Sequence, residues 1–233
     1  MRGIIFDCDG TLVDSEHAHL ASWKTAVLKR GGNLTQEDYF QLAGYSETLI
    51  SAKLHASVQI DSPEAIAEDK QLEFFKLMQQ GIPEMKRMVA LIRQLIPMKH
   101  ALNVKLAVAS AARKNEVIYH LERLGIKDAF DAVVSGRDDL THIHDSEGVN
   151  KPKPYIYHHV AELLELEPSC CIAFEDSQPG IQSALGAGMV AVAVPNMFTR
   201  YHDFSSAHHL VGLNEPFELE QLLDLLNDHL LRV

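Results

Sequence analysis

Five short apolar runs constrain the fold of this chain more than any other feature: residues 3–6, 105–110, 132–135, 170–175 and 190–195. Each has the length of a buried strand. Amphipathic stretches at residues 113–124, 154–166 and 178–187 separate the last four, and Gly125 and Gly188 stand where two of these helices should stop. Strand alternating with helix predicts a parallel sheet covered on both faces. In such α/β sheets ligands gather at the carboxyl ends of strands.

The interval between the first two runs breaks the alternation. Residues 15–84 carry amphipathic helices at 17–29, 36–42, 47–56 and 63–79 and no convincing strand, punctuated by Gly31-Gly32, Gly44 and Ser62-Pro63. About 70 residues suffice for a small helical bundle set into an α/β domain. The expected organisation is a Rossmann-like α/β core from residues 1–14 and 85–233, interrupted by a helical insertion over 15–84. Residues 85–96 read as the helix that returns to the sheet, 136–150 as an exposed loop, and 219–231 as a C-terminal helix packed against the sheet.

Composition excludes several classes of partner. With 46% apolar and 23% charged residues, the 233-residue chain has the make-up of an ordinary globular protein. Its formal net charge of −11 should repel nucleic acid and anionic membranes. The same charge would repel a phosphate ester at long range, but salt screens it beyond about 8 Å, so a phosphate site must rest on local cations. Cys8, Cys170 and Cys171 read as small buried hydrophobes in a reducing compartment. No stretch approaches the roughly 20 apolar residues of a membrane helix, and the N-terminus leaves no room for a signal peptide. A cytoplasmic location is expected.

Asp7-Cys8-Asp9-Gly10-Thr11 follows directly on the first apolar run. Two carboxylates two residues apart at the end of an extended segment can point the same way. Burying them together is costly unless a metal or a shared proton offsets their repulsion. One reading is phosphoryl transfer, with Asp7 as nucleophile, Asp9 moving protons and a hard divalent cation between them. The other is a turn with solvated acids. A calcium loop fails, because its glycine and glutamate positions hold Leu12 and Ala18.

Three further segments close strands or open helices. Ser110 ends the second run, where a hydroxyl can bond a phosphate oxygen beside a helix N-terminus or simply cap that helix. In Lys151-Pro152-Lys153-Pro154 the prolines stiffen the backbone, which could fix a lysine toward an anion or make a solvated basic turn. Glu175-Asp176-Ser177 closes the fourth run with two more acids. There Asp176 or Ser177 could cap the next helix, or Asp7, Asp9 and Asp176 together could hold Mg2+.

Singly these motifs are weak, but their order is specific. D-x-D-G-T, a serine closing a strand, K-P-x-P and then E-D-S before a glycine-bearing helix resembles the haloacid dehalogenase superfamily of phosphohydrolases. Within it the chain is similar to the branch holding β-phosphoglucomutase and small sugar-phosphate phosphatases, and the match spans essentially the whole chain. The resemblance implies that residues 15–84 are an α-helical cap domain. It implies that Asp7 is the nucleophile and a Mg2+ ligand, and that Asp9 is the general acid/base with its backbone carbonyl on the metal. Asp176 would be the second carboxylate ligand, and Glu175 a ligand or the neighbour of one. Ser110, Ala111 and Lys151 would hold the phosphoryl oxygens, Lys151 rather than Lys153 because it fills the first position of K-P-x-P. Thr11 would brace the loop.

The activity so implied is hydrolysis of a small phosphate monoester, of the sugar phosphate or nucleoside monophosphate class, by a monomer working through an aspartyl-phosphate. Asp9 must then start protonated, so its surroundings are expected to raise its pKa. A regulatory protein on the same fold would be expected to have lost Asp7, Asp9 or the late acid, and all are present.

The branch's mutases carry an arginine in a G-x-S-R pattern of the cap, where this chain has Gly44-Tyr45-Ser46-Glu47. Glu47 is expected to repel a second phosphate and so to disfavour mutase activity, with Lys70 as the cation that could compensate. His19, close to Trp23, stands where the branch often places a hinge histidine; it reads as a substrate or hinge contact, or as a partly buried helix residue. The other histidines, including His142, His144, His158-His159 and His208-His209, repeat no convincing metal spacing.

Overall fold

The computed structural model describes residues 1–58, 62–213 and 215–230. Among them, strands β1 (Arg2–Phe6), β2 (Val104–Ser110), β3 (Ala132–Ser135), β4 (Cys171–Glu175), β5 (Val190–Ala193) and β6 (His209–Leu210) form one parallel sheet in the order β3-β2-β1-β4-β5-β6. After β3 the chain crosses to the other side of β1, so the order reverses between β1 and β4, where α/β sheets open a crevice. The register places Phe6 opposite both Val108 and Phe174. Asp7 and Glu175 therefore leave the sheet side by side.

Helices α1 (Glu16–Leu28), α2 (Gln36–Phe40), α3 (Glu47–Val58) and α4 (Pro63–Gln80) lie between β1 and β2 in the chain, followed by α5 (Lys86–Leu95), α6 (Lys114–Arg123), α7 (Tyr155–Leu163), α8 (Gln178–Gly186) and α9 (Leu219–Leu230). Strand residues alternate between two cores. Ile4, Phe6, Leu106, Val108, Ile172 and Phe174 face α5, α6 and α9 through residues such as Met88, Leu121 and Leu222. Ile5, Ala107, Ala109, Ala173, Ala191 and Ala193 face α7 and α8 through Tyr157, Val160 and Ile181. Alanines on that second face let α7 bring Tyr157 close beneath the carboxyl ends of the strands.

The inserted helices have their own core, with Leu20, Trp23, Val27, Tyr39, Leu54 and Ile66 buried together. Local chemistry sets their starts. Thr35 and Asp38 form a capping box at α2, and Ser62 accepts from Ala65 N–H before Pro63 opens α4. Phe198, from the chain after β5, is part of this same core. No helix of the described residues is long and apolar enough to cross a membrane.

Three of the differences from the sequence reading have a clear physical reason. Strand β6 is two residues long, too short to show a period. Cys170 belongs to a 3-10 turn opened by Pro168, so β4 starts at Cys171. Helix α7 stops at Leu163, and Glu165 adopts a left-handed φ of 54° where the chain turns. The expected end of the last helix at Leu231 lies outside the described residues.

Candidate active site

The turn after β1 carries the first acids. Asp7 N–H donates to the Phe174 carbonyl at 2.9 Å, while Leu12 and Val13 N–H groups return to the Cys8 carbonyl at 2.8 and 3.1 Å. Gly10 has a φ of 78°, and a Cβ there would collide with the Asp176 carboxylate. The glycine thus meets two needs, a left-handed turn and close approach of the β1 and β4 loops. Thr11 is fully buried, and its hydroxyl has no hydrogen-bond partner among the described residues.

Asp7, Glu175 and Asp176 converge, each offering an oxygen within 4.8 Å of the others, and all three are buried. Lys151 lies among them, its Nζ 2.6 Å from Asp7, 2.5 Å from Glu175 and 3.0 Å from the Ala109 carbonyl. The Tyr157 hydroxyl donates to the same Glu175 oxygen. Lys153 instead faces outward and pairs with Glu147 at 2.5 Å and Asp145 at 3.5 Å. One ammonium cannot neutralise three carboxylates. Burial accordingly pushes the Asp7 carboxyl well above its ordinary range, with the Lys151 charge opposing. Burial, then the charge of Asp7, does the same to Asp176. Burial works against the Lys151 ammonium, but Asp7 and Glu175 outweigh it and hold the proton on.

This donor set fits a hard divalent cation. All its atoms are carboxylate oxygens, the type Mg2+ prefers. Glu175 Oε2 is buried without a hydrogen-bond partner among the described residues, so the cluster has unused acceptor capacity. The carboxylate of Asp9 lies outside the cluster.

Asp9 has different company. It accepts from the Ser15 hydroxyl at 2.6 Å, lies 3.4 Å from His19 Nε2 and accepts from the Ser110 hydroxyl at 3.4 Å. Burial disfavours its ionisation, but the hydrogen bond and charge of His19, then His120 and Ser15, override burial and hold the carboxyl well below the usual range. The direction is opposite to the expected rise, because His19 and the Ser15 hydroxyl lie against the carboxyl. His19 itself stacks flat on Phe74, with ring centroids 4.1 Å apart.

Above the acids is a recess lined by residues of both the inserted helices and the core, among them Trp23, Tyr45, Glu47, Lys70, Ala111 and Arg137. The compensation expected of Lys70 is present there beside Glu47, joined by Arg137. The Glu47 carboxylate is held 3.2 Å from Lys70 Nζ and 2.6 Å from Arg137 Nη1. Burial opposes its charge, but Lys70 and Arg137 keep it ionised below the ordinary range. Glu47 is thus shared by two cations, and a lone repelling charge is not what a ligand would meet. Lys70 also lies 4.6 Å from the Phe74 ring centre. Opposite, Gln71 Nε2 donates to Glu116, whose pKa burial raises.

The structure also separates residues that the sequence left with two roles. Ser177 caps α8, accepting from Gly180 N–H at 3.3 Å, while Asp176 joins the acidic cluster. Ser110 does not cap α6; its hydroxyl accepts from Ala112 N–H at 3.1 Å and faces Asp9. Arg137, Glu116, Tyr157 and Asn196 were not singled out from sequence. Asn196 donates to Asp176 Oδ2 at 2.7 Å from 20 residues away. No local pattern marks such partners.

A parallel sheet with acidic turns after its two adjacent central strands, a buried lysine between them and helices roofing the crevice defines an α/β enzyme with a buried acidic cluster that could hold a cation. The chain belongs to the haloacid dehalogenase-like hydrolase family, whose sequence model matches residues 1–188. Within that family it falls in the β-phosphoglucomutase-like branch. It is 30% identical to β-phosphoglucomutase of Bacillus subtilis (strain 168) over 200 residues, 83% of each chain. It is also 30% identical to fructose-1-phosphate phosphatase YqaB of Escherichia coli (strain K12) over 196 residues, 82% of this chain and 95% of that one. The crystal structure of β-phosphoglucomutase from Clostridium difficile shares the fold with a TM-score of 0.79, at 24% identity and full coverage of both chains.

Proposed function

We propose that the protein is a Mg2+-dependent phosphatase that hydrolyses a small phosphate monoester, a sugar phosphate or nucleoside monophosphate, through an aspartyl-phosphate on Asp7. The observation that carries this reading is Lys151 bridging Asp7 and Glu175, in the cluster that Asp176 completes. The likeness to a phosphatase of fructose 1-phosphate supports the substrate class.

In this reading Asp7, Asp176, Glu175 and the Asp9 backbone carbonyl hold the cation, which supplies charge neutralisation for the phosphoryl oxygens. Lys151 and Ser110, with the backbone at Ala111, position the phosphoryl group so that Asp7 attacks phosphorus in line. A dianionic ester brought beside Asp9 opposes its ionisation, so Asp9 takes up a proton and passes it to the leaving alcohol. Once ionised again, Asp9 draws a proton from the water that attacks the aspartyl-phosphate. His19 and Ser15 orient its carboxylate throughout. The inserted helices act as a cap that surrounds the leaving group and excludes bulk water.

A phosphomutase is the second reading. Glu47 is already neutralised by Lys70 and Arg137, which leaves one cationic charge in excess in that trio. Phosphate release from a panel of sugar phosphates, nucleoside monophosphates and sugar bisphosphates, with Mg2+ and with a chelator, tests the proposal. Mg2+-dependent release from a monoester is expected. Interconversion of hexose 1- and 6-phosphates without net release would select the mutase, and no turnover of any ester would defeat both.

A further inference from the structure

Asn196, just beyond β5, is 7% exposed, and all four hydrogen-bonding positions of its amide are engaged. Its Nδ2 donates to Asp176 Oδ2 at 2.7 Å and to the Gly10 carbonyl at 3.3 Å. Its Oδ1 accepts from Phe198 N–H at 2.8 Å and Thr199 N–H at 3.2 Å. Two backbone donors on one side fix which end of the amide is oxygen, so the other end must donate toward Asp176. Rotating the Asp176 carboxylate would leave a buried N–H without a partner, which is costly.

The same short segment reaches the cap. Phe198 is buried in the core of the inserted helices, with its ring centroid 4.7 Å from His17, 6.0 Å from Tyr39 and 5.7 Å from Phe40. Further on, His202 Nδ1 accepts from Gln178 N–H at 3.1 Å, and its Nε2 lies 3.4 Å from the Phe40 carbonyl. Residues 196–202 are thus tied to the acidic cluster at one end and to α2 at the other. The Phe198 N–H that bonds Asn196 belongs to the residue whose ring the cap holds. A shift of the cap that unseats Phe198 pulls on the bond that orients Asn196.

We propose that Asn196 is a positioning residue that sets Asp176 for the divalent cation and makes cation affinity depend on the seating of Phe198 in the cap. The inference rests on the metal reading above. Hydrogen-bond partners of metal-ligating carboxylates typically tune affinity by roughly 10- to 100-fold. Because binding linkage is reciprocal, a cation bound at Asp176 also favours the seated position of Phe198.

Titration calorimetry of the metal-free full chain with MgCl2 tests the proposal without any turnover. Asn196→Ala should weaken Mg2+ binding roughly 10- to 100-fold. Should Ala not fold, Asn196→Ser gives the same readout, since its hydroxyl can still accept from the turn but is too short to donate to Asp176. Phe198→Leu, which leaves Asn196 and every carboxylate in place, should weaken binding roughly fivefold or more. Thr199→Val removes the hydroxyl that accepts from Asn196 N–H at 3.1 Å but not the bond to Asp176. It should lower the melting temperature while leaving affinity unchanged. A cooperatively melting Asn196 variant with wild-type affinity would overturn the positioning role, and wild-type affinity in Phe198→Leu would overturn the link to the cap. A wild-type chain that takes up no Mg2+ would instead defeat the metal reading itself, and this inference with it.

Discussion

The ammonium of Lys151 lies 2.5 Å from the Glu175 carboxylate, at the buried floor of the acidic cluster. Glu175 is fully buried, with the Tyr157 hydroxyl on one oxygen and Gly180 of α8 packed against the carboxylate. Lys151 therefore holds Glu175 in place with the same charge that it offers to Asp7. The geometry couples helix packing to the chemistry, because whatever moves α8 moves a member of the cluster.

Gly180→Ala should be disproportionately damaging for so small a change. A Cβ at that position would overlap the Glu175 carboxylate, which has no room to retreat between Lys151 and Tyr157. Overpacking of this kind costs about 1–3 kcal/mol. Chemical denaturation should show that loss together with weaker Mg2+ binding. A variant with wild-type values for both would mean that Glu175 is free to rearrange.

The pH dependence of Mg2+ stabilisation follows from the cluster. Burial raises Asp7 and Asp176 above their ordinary 3.8 in the folded state. A raised carboxyl contributes stability that is present below the unfolded value and lost as pH rises through the folded one. Mg2+ binds the ionised forms, so its contribution grows over that same window. The rise in melting temperature on adding MgCl2 should be larger at about pH 8 than at about pH 5. A rise that shrinks with pH contradicts the assignment of these acids as ligands.

Asp9→Asn keeps the backbone carbonyl and can retain the bond from Ser15. It should lower kcat by roughly 10²–10⁴, the usual range for a general acid/base. Calorimetric Mg2+ affinity should stay near wild type, since the Asp9 carboxylate lies outside the three-carboxylate cluster. Lost Mg2+ binding with intact chemistry would reverse the two roles.

Glu47→Gln should release both Lys70 and Arg137 toward the recess. The KM for a sugar bisphosphate should fall by roughly two- to fivefold relative to that for the matching monophosphate, the scale of a partly exposed ion pair. An unchanged ratio would show that the leaving group does not reach this trio.

Much of the fold was legible because it depends on local pattern. The five longer strands are contiguous apolar runs; Asp7, Ser110, Glu175 and Asp176 stand at a strand end or one residue beyond it, and Lys151 stands in a proline-framed turn. What was not legible depends on partners distant in sequence. For Glu47 the sequence offers Lys70 as a partner but not Arg137, which is 90 residues away. The Asp9 pKa is lowered first by His19 and then by His120, and only the fold brings His120 near it. Phe198 joins a core otherwise built from the inserted helices, across a boundary that periodicity draws at residue 84. Strand β6 exists only because β5 offers it an edge.

Steady-state phosphate release by Asp7→Asn tests the central claim most directly. The substitution is nearly isosteric, but it removes the attacking charge, the partner of Lys151 and one cluster oxygen anion. With the best substrate of the wild type and saturating Mg2+, turnover should fall to background while the variant still melts cooperatively. A folded Asp7→Asn chain that releases phosphate at a near wild-type rate would contradict an aspartyl-phosphate on Asp7.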